Sequence, residues 1–123
     1  MPRSNRPTDA ELDILAVLWQ EGPCTVRQIH EKLSDGRGYT TILKLVQLMH
    51  EKGIVTRDAS SRSHVYSAAA PVEKTRMSLV QDLAKRAFEG SSKSVALYAL
   101  GADFNPEELK EIERLVEKLE AEH

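Results

Sequence analysis

Thr40, Thr41, Lys44 and Gln47 are the residues whose types and spacing best suit chemistry with a partner, and that chemistry is hydrogen bonding to a nucleic acid. At about 100° per residue they share one helical face, opposite an apolar stripe of Ile42, Leu45, Val46 and Met49. Glutamine carries both donor and acceptor and suits adenine, while lysine donates to guanine or neutralises a phosphate. The threonine hydroxyls, beside the amides of a helix start, suit a phosphate, and their methyls suit a thymine methyl. Leu43 and Leu48 flank this face. Arg37 and Tyr39 lie just before it, and Arg57 and Arg62 follow on a β-rich stretch, which adds positive charge for a phosphate backbone.

Other chemistries find no support in the residues. His30, His50, His64 and His123 are scattered, and the His50-Glu51 start of a zinc-protease motif meets Ile54 where its second histidine would stand. Cys24 is the only cysteine, so one chain builds neither a disulfide nor a cysteine cage, and its expected role is a small buried filler. There is no nucleophile–base set and no phosphate loop. The expectation is a protein that is not an enzyme and needs neither metal nor cofactor.

These residues need a scaffold. Thr25 and Gln28 form the capping pattern that opens a helix from Val26 to about Leu33, and Ser34-Asp35-Gly36-Arg37-Gly38 interrupts it. Helical periodicity resumes from Tyr39 to Lys52 and closes at Gly53. Ile54-Val55-Thr56-Arg57 and His64-Val65-Tyr66-Ser67 then read as two strands around a polar tip, Asp58 to Ser63. Upstream, Thr8-Asp9-Ala10-Glu11 is a second capping box, opening a helix with Leu12, Leu15, Leu18 and Trp19 at helical spacing and ended by Glu21-Gly22-Pro23. The expected core sets Leu12, Leu15 and Trp19 against Val26, Ile29 and Leu33 and against the stripe Ile42, Leu45, Val46 and Met49. Two helices followed by a two-strand wing give the plan of a winged helix-turn-helix, with DNA as the first partner to test.

Pro71 marks an expected boundary between a DNA-binding domain, 1–70, and a helical domain, 71–123. The second part reads as helices over Val72 to Glu89, Ser94 to Leu100 and a last one capped by Asn105 with Pro106 at its first position. Leu109, Ile112, Val116 and Leu119 recur in steps of three and four, the seam of a helix that packs on another helix. So short a helical tail has little interior of its own, so Val80, Leu83, Phe88 and Leu97 with that seam are expected to pair with a second copy, folding back on the first domain being the alternative.

The 123-residue chain is 41% hydrophobic and 29% charged, has no membrane-length apolar run and opens without a secretory signal, so no membrane insertion and a cytoplasmic location are expected. Its net charge of −2 is unevenly spread: residues 1–70 hold nine Lys/Arg against eight Asp/Glu, residues 71–123 eight against eleven. The positive side chains Arg3, Arg6, Arg37, Lys44, Arg57 and Arg62 fall in the first part, which makes it the expected DNA-facing half.

Nearly the whole chain resembles the penicillinase-repressor family of the BlaI/MecI type, with which the copper-responsive CopY repressors are grouped. The resemblance runs through Thr8-Asp9-Ala10-Glu11-Leu12-Asp13-Ile14-Leu15 to Leu18-Trp19, Thr25-Val26-Arg27-Gln28-Ile29 and Tyr39-Thr40-Thr41-Ile42-Leu43. It continues in Glu51-Lys52-Gly53-Ile54-Val55, Val65-Tyr66, Phe88-Glu89-Gly90-Ser91 and Val95-Ala96-Leu97. It implies a homodimeric repressor of double-stranded DNA, with winged helices on an inverted-repeat operator and carboxy-terminal helices forming the dimer. It also implies control by a membrane sensor-protease that leads to cleavage in the carboxy-terminal domain. By position the family's Asn-Phe bond falls at Tyr98-Ala99, where this chain has neither residue, and the paired Cys-x-Cys motifs of the copper branch are absent. The other reading is a winged-helix protein-interaction module, which would show an apolar patch where Lys44, Gln47 and Arg62 stand.

Overall fold

Three capping boxes start three of the helices of the computed structural model, which describes residues 6–123. Helix α1, Asp9–Glu21, begins where the Thr8 hydroxyl accepts from Glu11 N–H at 3.2 Å and the Glu11 carboxylate accepts from Thr8 N–H at 2.9 Å. It stops at Gly22, whose N–H still reaches back to the Leu18 carbonyl and whose φ of 80° turns the following chain out of the helix. Strand β1, Cys24–Thr25, leads into helix α2, Val26–Leu33, which Thr25 and Gln28 cap in the same reciprocal way. Helix α3, Tyr39–Lys52, follows and ends at Gly53 in the left-handed region.

Strands β2, Val55–Asp58, and β3, Val65–Ala68, form the expected hairpin, with Arg57 opposite Tyr66 and Asp58 opposite Val65. The sheet has a third strand. β1 pairs antiparallel with β3, Cys24 opposite Tyr66, so the order is β1-β3-β2 rather than a two-strand ribbon. A strand of two residues has no periodicity to betray it; it arises because the chain leaving α1 runs along the free edge of β3.

The core gathers Ile14, Leu15, Val17 and Leu18 of α1, Val26 and Ile29 of α2, Ile42, Val46 and Met49 of α3, with Cys24, Val55 and Tyr66 of the sheet. Of the expected core, Leu12, Trp19, Leu33 and Leu45 are only partly buried, packed at its margin, while Ile14 and Val17 are buried in place of Leu12 and Trp19. The buried face of α1 is thus rotated from the leucine-tryptophan stripe. Its one buried charge, Glu11, is 1% exposed and accepts from Lys52 Nζ at 2.7 Å, joining the start of α1 to the end of α3. Burial alone would raise the Glu11 carboxyl, but the bonds from Lys52 and Thr8 outweigh it and hold the group below its ordinary 4.5.

Helix α4, Val72–Ala87, ends two residues earlier than its apolar pattern predicts: Glu89 and Gly90 take positive φ, and Gly90 N–H returns to the Ala84 carbonyl. Helix α5, Ser92–Ala99, is capped by the Ser91 hydroxyl, and helix α6, Pro106–Ala121, by Asn105 with Glu108. The chain divides into two compact units, one ending at Leu79 and the other spanning Val80–His123, so α4 contributes to both. In the second unit Phe88 meets Tyr98 edge to face at 5.4 Å, and Ala84 is buried. Val80, Leu83, Leu97, Leu109, Val116 and Leu119 remain 43% to 58% exposed, while Phe88 and Ile112 are half-buried.

Candidate nucleic-acid interface

Burial of Ile42, Val46 and Met49 fixes the rotation of α3, and the opposite side follows from it. Tyr39, Thr40, Thr41, Lys44, Gln47, Leu48 and Glu51 are all exposed, whereas Leu43 is half-buried against the core. Leu48, 38% exposed, is therefore the apolar flank available to a base methyl. The helix starts at Gly38, and no side chain among the described residues caps it, so its first amides stay available beside the hydroxyls of Thr40 and Thr41.

The wing carries Arg57 on β2 and Arg62 at the tip, both exposed. Its turn is shaped by Asp58, which accepts from Ser60 N–H at 2.9 Å; hydrogen bonding by Ser60 keeps that carboxyl below the usual range. A cleft of about 700 Å³ opens between the start of α2, the start of α3 and the wing tip, lined by Arg27, His30, Tyr39, Leu43, Arg62 and His64 among others. His64 lies where its place on the wing strand beside Arg62 puts it, whereas Arg27 reaches this cleft only because the fold brings α2 to the wing.

Arg37 behaves differently from the other cations. Its Nε donates to Asp35 at 2.7 Å and its guanidinium also pairs with Asp35 and, at 3.0 Å, with Asp13 of α1. Asp35, then Asp13, raises the Arg37 guanidinium above its ordinary value, and Arg37 in turn lowers the Asp35 carboxyl. Arg3 lies outside the described residues.

Cys24 is buried, its thiol donating to the Gly22 carbonyl at 3.4 Å, and burial raises it further from thiolate formation. No helix among the described residues is long and apolar enough to cross a membrane.

Three packed helices, a three-stranded wing and a polar helix face beside it define a winged helix-turn-helix, followed here by a helical unit. The penicillinase repressor family model matches residues 7–118, and the chain belongs to that family. It is accordingly a DNA-binding transcriptional repressor and not an enzyme. The chain is 29% identical over 126 residues to the transcriptional regulator BlaI of Mycobacterium tuberculosis, in two strains, covering 100% of this chain and 91% of the relative. Among solved structures it is similar to a mutant form of ZitR from Lactococcus lactis, with 20% identity, a TM-score of 0.43, and coverage of 99% of this chain and 81% of the other.

Proposed function

We propose that the chain acts in the cytoplasm as a homodimer that occupies an inverted-repeat operator, with one α3 in the major groove of each half-site. The observation that carries this is the exposed polar face of α3, set opposite its buried stripe and next to a basic wing. Thr40 and Thr41 meet phosphate or a thymine methyl, Tyr39 lies at the same end, and Lys44 and Gln47 reach base edges. Arg57 and Arg62 lie along the backbone and set register without reading sequence. The exposure of Lys44, Gln47 and Arg62, where a protein-docking module would present an apolar patch, favours DNA over that alternative.

Pairing is assigned to the helices after Pro71. Their exposed apolar side chains, Val80, Leu83, Leu97, Leu109, Val116 and Leu119, with Phe88 and Ile112 beside them, are covered by the same residues of a second copy. If a membrane sensor-protease relieves repression, the cut falls between Ser94 and Phe104, around Tyr98-Ala99, where α5 gives way to a loop distant in sequence from the winged helix. Selection of bound duplexes from a random library tests the reading: two symmetric half-sites are expected, and a pool without symmetry or consensus would refute it. Mass spectrometry of the protein from induced cells locates the cut, and an intact chain released from DNA would remove the protease from the account.

A further inference from the structure

The turn that delivers α3 has no cap of its own, yet it must hold the helix start at a fixed angle. Ser34 has a φ of 43° and Gly36 one of 90°, and Gly38 supplies no side chain to the first turn of α3. Ser34 bonds back to the end of α2 through its hydroxyl and its amide, and beyond it Arg37 ties this segment down, held at both its side chain and its main chain. Its guanidinium pairs with Asp35 within the turn and reaches Asp13 on α1, while Asp35 Oδ1 accepts Arg37 N–H at 3.1 Å. On the other side, His30 Nε2 of α2 lies 2.9 Å from the Arg37 carbonyl oxygen. A carbonyl only accepts, so that nitrogen carries the proton and donates. The His30 ring also meets Tyr39, the first residue of α3, edge to face at 6.1 Å. With its side chain 26% exposed and its fork engaged by two carboxylates, Arg37 offers little to a phosphate.

We infer that Asp13, acting through Arg37, is a positioning residue for DNA recognition: the Asp13–Arg37–His30 link anchors the turn to α1 and α2 and so sets the approach of Thr40, Lys44 and Gln47 to the bases. The inference rests on the reading of α3 as the DNA-reading helix. It assigns a role to Asp13, a half-exposed acid on a helix with no residue in the reading face, and moves Arg37 from phosphate contact to scaffold.

The sign of the effect makes it testable. Asp13→Asn removes a negative charge from the DNA-binding unit, so electrostatics alone predicts equal or tighter binding to any duplex. A positioning role predicts the opposite for the operator. The probes are a duplex selected from a random library by the full-length wild-type chain and a scrambled duplex of the same length and composition. For Asp13→Asn the ratio of operator to scrambled affinity is expected to fall about threefold to tenfold, with scrambled affinity unchanged or raised, and Asp13→Glu is expected to restore most of the ratio. In the DNA-free protein, hydrogen exchange at the Ile42 amide, which bonds to the Gly38 carbonyl, should quicken about threefold in Asp13→Asn while Met49 in the same helix stays protected. Operator and scrambled affinity rising together would show Arg37 released to phosphate and overturn the proposal. Unchanged exchange at Ile42 or an unchanged affinity ratio would also overturn it. Wild-type protein with no preference for its selected duplex would instead bring down the DNA reading itself, and the exchange data would still report whether the anchor exists.

Discussion

Gln47 and Arg62 are both exposed and polar, but the proposed DNA contact asks different things of them. Gln47→Ala should remove about 1–3 kcal/mol of discrimination at one base pair per half-site, measured by competition with operators altered one position at a time. Arg62→Ala should weaken every sequence alike and lower the salt slope by about one per protomer. Glu11 carries a stability prediction instead. Glu11→Gln leaves the Lys52 ammonium without its buried counter-charge and is expected to cost about 3 kcal/mol in urea unfolding at neutral pH. Because the Glu11 carboxyl is lowered in the folded chain, its contribution is complete above its ordinary 4.5 and disappears as pH falls through the lowered value. Wild type and Glu11→Gln should therefore converge in stability in acid; a constant gap down to pH 2 would refute the linkage. The sequence revealed Glu11 as half of a capping box with Thr8, a relation three residues long. Its bond to Lys52 spans forty-one positions and follows no local pattern. Part of the Arg37 pairing is equally hidden: Asp35 stands two residues away, but only folding brings Asp13 beside it.

At the scale of elements, what a short window encodes was legible and what packing decides was not. The starts of α1, α2 and α6 follow from caps written in four residues, and α3 matches its predicted span because its stripe and closing glycine are both local. β1 exists only through its partner β3, and the rotation of α1 that buries Ile14 and Val17 is settled by α2, α3 and the sheet. Gly53 offers a clean test of the closing signal. Its φ is 79°, and a Cβ there would meet nothing within 4 Å, so Gly53→Ala strains only the backbone. Loss of about 1 kcal/mol by thermal or urea unfolding is expected, with DNA specificity unchanged.

At the scale of the whole molecule, division into two compact units lets the proposed recognition and the proposed pairing be tested apart. A fragment of residues 1–79 retains the core, the wing and the Arg76 guanidinium, 5.6 Å from the Trp19 ring centroid. It should fold as a monomer in analytical ultracentrifugation and bind one half-site, losing about a hundredfold or more on a full operator because the second contact is no longer tethered. A tight dimer of this fragment would refute the assignment of pairing to the apolar side chains from Val80 onward. The buried thiol of Cys24, unremarkable as packing, gives the molecule a built-in clock. As the chain's only sulfhydryl, it lies within the winged-helix unit and is shielded from solvent. An alkylating reagent added to the intact repressor therefore modifies it only during excursions that open this unit, so labelling kinetics time those excursions with no mutation or dye. If such opening is cooperative across the unit, Glu11→Gln should speed the labelling about a hundredfold, the rate equivalent of its roughly 3 kcal/mol cost.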